Sequence, residues 1–504
     1  MKQTLLIRAD ASALIGSGHV MRCLALAQAW LGRGGSCIFV MAMDAGPILS
    51  RLQSEGIGVR RIGVEAGSEA DAEATLEITR ETGAKLLVLD GYHLSANYQR
   101  TIRQGIQSDA SDVKILAVDD NCEQGHYYAD FILNQNIHAC EALYPPCKRE
   151  PYTKLLLGLE YCLLRREFIE RRRERRRILP AAHNILVTLG GSDSDNVTCR
   201  ILDVLKSLRN ASLDIKVVVG GNNRNYDKVS NLAQSISGNV EIIRDAQNMA
   251  KLMIWADLAI SAAGSTVWEM CLLRLPCVLI VTAQNQVEMA ERIKEKEIAC
   301  GVYEAGHLEE LGDELSFFLD SQKKRDDCSR RMWNLVNGAG PRRTLRMLIC
   351  GELHLRPARE TDAKLVWKWA NDSTTRANSF SPDPIPWDDH LRWYAKKLVD
   401  SGTRIYMACA ETGDGCALVR FDVKGGTAVA GITVAPEYRG LGLASEVIRS
   451  GTQQFHDEYG ALPIFAYVKP NNLASRQAFE KGGYVLTGNT VYDGQECLRF
   501  SHEQ

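Results

Sequence analysis

The chain reads as α/β, with two parallel-sheet lobes of similar size followed by a separate α+β domain, and three observations point there. Short apolar runs alternate with amphipathic stretches, the pattern of strands joined by helices. Glycine clusters fall where the apolar runs end. A length of 504 residues exceeds what one core supports. The expected parts are 1–165 for the first lobe, 166–182 for an inter-lobe connection, 183–345 for the second lobe and 352–504 for the last domain.

The elements follow in order. Leu5–Ile7 is a strand, Arg8–Gly18 a loop, and His19–Leu31 a helix stopped by Gly32, Gly34 and Gly35. Lys85–Asp90 and Val113–Val118 are further strands. The run Arg165–Arg177 is basic, without interleaved aromatics, and is expected to be a solvated helix face or the connection between lobes. The second lobe restarts at Asn184–Leu189 and continues with strands at Ile215–Val219, Leu258–Ser261 and Pro276–Val281. Asn337-Gly-Ala-Gly-Pro341 breaks the pattern, and a new domain opens with strand Leu353–Arg356.

Composition excludes several classes. Lys plus Arg number 60 against 62 Asp plus Glu, so no global charge draws nucleic acid or an anionic membrane. Apolar runs are strand-length, so no membrane span is expected. The 15 cysteines stand singly, without a C-x-x-C pair. That argues against a disulfide framework or a thiolate metal site and for reduced thiols in the cytoplasm. No signal peptide is read at the N-terminus.

In the last domain, strand Gly431–Val434 runs into Arg439-Gly-Leu-Gly-Leu-Ala444, which opens a helix to about Phe455. Glycines admit close backbone approach, and N–H groups at a helix N-terminus point toward an anion, together a pyrophosphate cradle. Pro470-Asn-Asn-Leu-Ala-Ser-Arg-Gln-Ala-Phe-Glu-Lys-Gly-Gly-Tyr484 follows. This pair of segments resembles the GNAT acetyltransferase superfamily, whose CoA-binding pattern falls on Arg439, Gly442 and Ala444. The resemblance implies acetyl-CoA as co-substrate, held by Val434, Arg439, Gly440, Gly442, Ala444, Ser445, Asn472 and Ser475. Many members carry a Tyr seven residues after the Asn as proton donor; here that residue is Phe479, so the acid is unassigned, with Tyr467 and Tyr484 substitutes by type only. Trp387, His390 and Trp393 lie where members build the acceptor pocket. Helix packing is the structural alternative for the two Trp residues, and a plain core role for His390.

In the first lobe, Gly16-Ser-Gly-His-Val-Met-Arg22 sits between strand and helix, with His19 and Arg22 on neighbouring surface of one face. A neutral imidazole there can take a proton from water, whereas an isolated His more often packs or caps. The second lobe ends two strands in glycine: Leu189-Gly-Gly-Ser192, with Gly190, Gly191 and Ser192, and Ala263-Gly-Ser-Thr266, with Gly264, Ser265 and Thr266. Both suit a diphosphate, and Glu269 can accept ribose hydroxyls, although Thr266-x-x-Glu269 is also a capping-box spacing.

Arg8-Ala-Asp-Ala-Ser12, Ile15–Leu24, Leu156–Arg165, Ala263–Glu269 and Ala283-Gln-Asn-Gln286 resemble the UDP-2,4-diacetamido-2,4,6-trideoxy-β-L-altropyranose hydrolase family of the pseudaminic acid pathway. That family has the two-lobed GT-B fold, related to the glycosyltransferase that adds N-acetylglucosamine in peptidoglycan synthesis. The resemblance implies metal-free hydrolysis of a UDP-sugar with His19 as base, Gly18 and Arg22 beside it, and Asp10, Tyr92 and Asn285 in the cleft. Usual members have Asp-His-Tyr where this chain has Asp90-Gly-Tyr92. In that pathway the preceding step acetylates the 4-amine of a UDP-linked 4-amino-4,6-dideoxy sugar, so the two halves read as consecutive steps. The alternatives are a true glycosyltransferase, another nonulosonate hydrolase, a protein N-acetyltransferase, or a non-catalytic acyl-CoA-binding module.

Overall fold

A computed structural model describes residues 3–502 apart from 13, 14, 44, 45, 175, 191, 192, 194, 209, 211 and 222. It divides into two compact units, Met1–Thr344 and Leu345–Gln504.

In the first unit the described residues form two all-parallel sheets. One orders its strands β3-β2-β1-β4-β5-β6-β7, from β1 (Thr4–Ala9), β2 (Ser36–Met41), β3 (Gly58–Arg61), β4 (Leu86–Asp90), β5 (Lys114–Val118), β6 (Phe131–Asn134) and β7 (Lys154–Leu157). The other orders them β10-β9-β8-β11-β12-β13, from β8 (Asn184–Thr188), β9 (Asp214–Val219), β10 (Asn239–Arg244), β11 (Leu258–Ala262), β12 (Cys277–Val281) and β13 (Gly301–Glu304). Central strands such as β4 and β11 are buried at every residue, as sheets covered by helices on both faces require. In each sheet the strand order reverses beside the first strand. This opens a crevice at the carboxyl ends of β1 and β4, and of β8 and β11, where doubly wound sheets bind ligands.

The second unit holds a mixed sheet ordered β14-β15-β16-β17-β18-β20-β19, from β14 (His354–Pro357), β15 (Thr403–Cys409), β16 (Gly415–Lys424), β17 (Thr427–Val434), β18 (Ile464–Val468), β19 (Val485–Tyr492) and β20 (Gln495–His502). Neighbours are antiparallel except β17 and β18, which run parallel and pair only at Ala428↔Ile464 and Val429↔Phe465 before separating. Two parallel-sheet lobes and a mixed-sheet domain are the α/β architecture expected.

The basic run differs from the helix-face expectation. Only Arg166–Ile169 is α-helical, and turns follow. Arg165 is buried against Glu269 and Glu167. Arg176 donates to the carbonyl oxygens of Leu273, Ala256 and Met253. These arginines satisfy carbonyls and carboxylates under the connection between lobes, a use that a charge count does not disclose. Among the described residues no helix is long and apolar enough to cross a membrane.

Candidate functional site

The crevice between β1 and β4 gathers the first lobe's polar residues. Helix Gly18–Leu31 starts just past β1, and its first turn carries His19 to the end of β4. There His19 Nδ1 lies 2.7 Å from Asp90 Oδ1. Arg22, one turn on, grips the same carboxylate at both oxygens (Nε to Oδ2 2.7 Å, Nη2 to Oδ1 2.6 Å) and reaches Asp120 Oδ2 at 2.7 Å. Burial pushes the Asp90 carboxyl up, but Arg22 and His19 outweigh it and hold the group well below the usual carboxylate range. An ionised carboxylate only accepts, so the imidazole proton sits on Nδ1 and Nε2 is the basic nitrogen. Burial pulls the Arg22 pKa down, and the facing Asp120 and Asp90 more than offset it.

Tyr92, 45 % exposed, sets its ring edge-on to His19 at 4.8 Å between centroids. Its hydroxyl interacts with Asp120 and, across the lobes, with Asn285. Burial first and then Asp120 raise its pKa. The structure therefore brings His19, Arg22, Tyr92 and Asn285 together. A Cβ on Gly18 would meet nothing within 4 Å, so the helix start is open.

Asp10 corrects the expectation of a substrate contact. Its side chain is completely buried, bonded to Arg8 at 2.6 Å and accepting the N–H groups of Ala42 and Met43. Arg8 in turn holds Asp71. This enclosed network ties together the loops after β1 and β2 and the helix Glu69–Thr82. Sequence reasoning missed Asp90 and Asp120 as partners of the site; the signal was present, an acidic residue closing or following a fully apolar strand.

In the second lobe Gly190 follows β8 with φ of +92°, a conformation glycine alone adopts cheaply. Gly191 and Ser192 lie outside the described residues. Asp193 accepts the N–H groups of Val197 and Thr198 and so caps the next helix. Gly264, Ser265 and Thr266 stand at the start of helix Thr266–Leu273, which has Ser265 as N-cap and no side-chain cap, so the capping-box reading is not realised. Glu269 bonds Arg165 at 2.9 Å through Oε1. Burial raises its pKa against the pull of Arg165.

In the second unit β17 leads to Arg439, and Gly440 and Gly442 take φ of +81° and +79° before helix Leu443–Tyr459. That helix has no side-chain cap, and a Cβ on Gly442 would meet nothing within 4 Å. The Ala435 N–H points to β16 and the Ala428 N–H toward the chain entering β18. Strand alternation therefore turns the N–H groups of Ile432 and Val434 into the gap where β18 has diverged. Ala444 and Ser445 occupy the first helical turn, where the Ser445 hydroxyl bonds the Gly442 carbonyl. The Arg439 guanidinium is tied to Asp372, Thr375 and the Val434 carbonyl. Asn472 caps helix Leu473–Lys481 by accepting the Ser475 N–H. The open glycine turn, uncapped helix start and parted strands fit a nucleotide diphosphate with an attached thioester.

His390 is a correction. It is 2 % exposed, and its Nε2 bonds the Ala363 carbonyl. Burial lowers its pKa against that bond. It is a core residue between Trp387 and Tyr394. Trp387 and Trp393 are each 37 % exposed, the first edge-on to Trp367, the second under Arg420. Neither tyrosine offered as a substitute acid gains support from its surroundings. Tyr484 is buried and bonded to Thr452, and Tyr467 stacks on Tyr492. Phe479 packs in the core against Tyr484 and Phe500.

Residues 352–485 match the Acetyltransferase (GNAT) domain, and residues 184–331 match the Glycosyltransferase family 28 C-terminal domain. The chain is 28 % identical over 295 residues to the UDP-2,4-diacetamido-2,4,6-trideoxy-beta-L-altropyranose hydrolase of Campylobacter jejuni, covering 58 % of this chain and 96 % of that one. It is 23 % identical over 400 residues to the uncharacterized protein MJ1062 of Methanocaldococcus jannaschii, 77 % of each chain. It is 24 % identical over 239 residues to the spore coat polysaccharide biosynthesis protein SpsG of Bacillus subtilis, 46 % of this chain and 67 % of that one. The chain thus joins two parallel-sheet lobes, similar in sequence to a UDP-sugar hydrolase and matching a glycosyltransferase family 28 C-terminal domain, to a domain that matches the GNAT acetyltransferase domain.

Proposed function

We propose that the chain carries out two consecutive steps on one nucleotide sugar. The GNAT domain acetylates the 4-amine of UDP-4-amino-4,6-dideoxy-N-acetyl-β-L-altrosamine, and the GT-B unit hydrolyses the resulting UDP-2,4-diacetamido sugar to UDP and the free sugar, as in pseudaminic acid biosynthesis. The observation that carries the hydrolytic half is the His19–Asp90 pair at the β1/β4 crevice. Nδ1–H is held by the carboxylate, so Nε2 removes a proton from water as its oxygen attacks the anomeric carbon. The bond from that carbon to the diphosphate oxygen breaks, UDP leaves as the anion, and His19 returns the proton to solvent. Gly190, Gly264, Ser265 and Thr266 receive the diphosphate, Glu269 the ribose, and Tyr92 and Asn285 close over the sugar. No metal is assigned a part.

In the GNAT half, acetyl-CoA supplies the acetyl thioester. Gly440, Gly442, Ala444 and Ser445 hold its pyrophosphate, Asn472 and Ser475 flank it, and the Val434 N–H orients the carbonyl for direct attack by the amine; the C–N bond forms as the C–S bond breaks, and CoA leaves as the thiol with the proton that the amine loses. Trp387 and Trp393 flank the acceptor.

The test is to incubate the protein with acetyl-CoA and the UDP-4-amino sugar and to follow thiol, UDP and sugar. Thiol release, then UDP and a free diacetamido sugar, is expected. UDP appearing only when an acceptor sugar is added would make the first unit a glycosyltransferase. Thiol release with peptides but not with the sugar would redirect the second.

A further inference from the structure

Two imidazole–carboxylate pairs cross at the β1/β4 crevice. Asp90 closes β4 and takes His19, which follows β1. Asp10 follows β1 and lies against His93, which follows β4, with Nε2 3.0 Å from Asp10 Oδ2, a close contact outside hydrogen-bond geometry. The strands are parallel neighbours, with Ala9 opposite Asp90, so the two pairs stand side by side at one edge of the sheet.

His93 differs from everything else around Asp10. Arg8, Asp10 and Asp71 are wholly buried, whereas the His93 side chain keeps 19 % of its surface. Asp10 also has Arg8 and two backbone N–H groups, so His93 is not its sole partner. The ring also sits close over Gly91, the residue after Asp90. A Cβ there would lie 2.7 Å from His93 Cε1 and 3.1 Å from Nδ1. The missing side chain at 91 is what lets this ring fold back beside the His19 partner.

We propose that His93 is a second substrate-binding imidazole of the cleft: Asp10 stands against its Nε2 edge, and Nδ1 accepts a hydrogen bond from a hydroxyl or acetamido N–H of the sugar. The assignment rests on the sugar-nucleotide reading of this crevice. Asp10 then acts through His93 without touching the substrate. Because the contact is to the sugar, it leaves recognition of UDP untouched.

Asn and Gln separate the two nitrogens. His93→Asn keeps an acceptor near Nδ1, and His93→Gln keeps a polar atom near Nε2, facing Asp10. The experiment measures UDP release from the UDP-diacetamido sugar and, separately, UDP binding by calorimetry. His93→Ala should raise KM for the sugar nucleotide about tenfold, the scale of one hydrogen bond to substrate, with UDP affinity unchanged. His93→Asn should stay nearer to the wild type than His93→Gln. Gly91→Ala, which displaces the ring, should reproduce the His93→Ala defect and add nothing to it in the double variant. Unchanged KM in His93→Ala overturns the proposal, and so does recovery by Gln but not Asn, which would mean that the ring serves only Asp10. Wild-type protein that releases no UDP from the sugar nucleotide overturns the underlying reading instead.

Discussion

His19 Nδ1 and Asp90 Oδ1 are 2.7 Å apart although 71 positions separate the residues, and Arg22 holds the other side of the same carboxylate. Hydrogen bonds from the guanidinium and the imidazole fix the tautomer and aim of His19. Removing the base should therefore silence one half of the protein alone. His19→Ala should lower UDP release by about 10²- to 10⁴-fold while acetyl-CoA-dependent thiol release stays at the wild-type rate, both read by chromatography on the same sample.

Asp90→Asn tests the orienting role and has a pH signature. An amide can donate to Nδ1 and favour the wrong tautomer, so UDP release should fall by about 10³-fold or more. Arg22 keeps Asp120 but loses its bidentate partner, costing about 3 kcal/mol in a buried site. The folded-state pKa of Asp90 lies below its unfolded value. Its stabilisation is therefore complete above about pH 4 and is lost as the pH falls through the folded value. Melting curves from pH 7 to pH 3 should show a shallower loss of Tm in Asp90→Asn than in the wild type.

Gly442 has φ of +79° with open space where a Cβ would stand. Gly442→Ala should cost about 1 kcal/mol in the left-handed conformation and loosen the turn before helix Leu443–Tyr459. Calorimetric titration should find weaker acetyl-CoA binding, with UDP release from pre-acetylated sugar unchanged.

Phe479 stands where the resemblance to GNAT acetyltransferases implies a tyrosine proton donor. Its ring is buried between Tyr484 and Phe500. In Phe479→Tyr the hydroxyl enters an apolar cluster and costs about 1–3 kcal/mol if left unpaired. We expect a lower Tm and no gain in acetyl transfer. A faster thiol release would show that the hydroxyl reaches the reacting centre.

The sequence alone determined the α/β class, the glycine turns at Gly190, Gly264 and Gly442, and His19 at a strand–helix junction. Each is a local signal: a run of apolar residues, a glycine where a strand ends (with positive φ at Gly190 and Gly442), a helix start. Tertiary structure decided what these residues meet. Parallel strands β1 and β4 pair residues 81 positions apart, and only that register places Asp90 on His19 and Asp10 beside His93. Burial decided the rest. Asp10 and His390 carry reactive groups in the sequence and are enclosed in the fold, the first by Arg8 and two backbone N–H groups, the second by the Ala363 carbonyl and neighbouring rings. Solvent access is set by long-range packing, so a residue's chemistry can be read from sequence where its availability cannot.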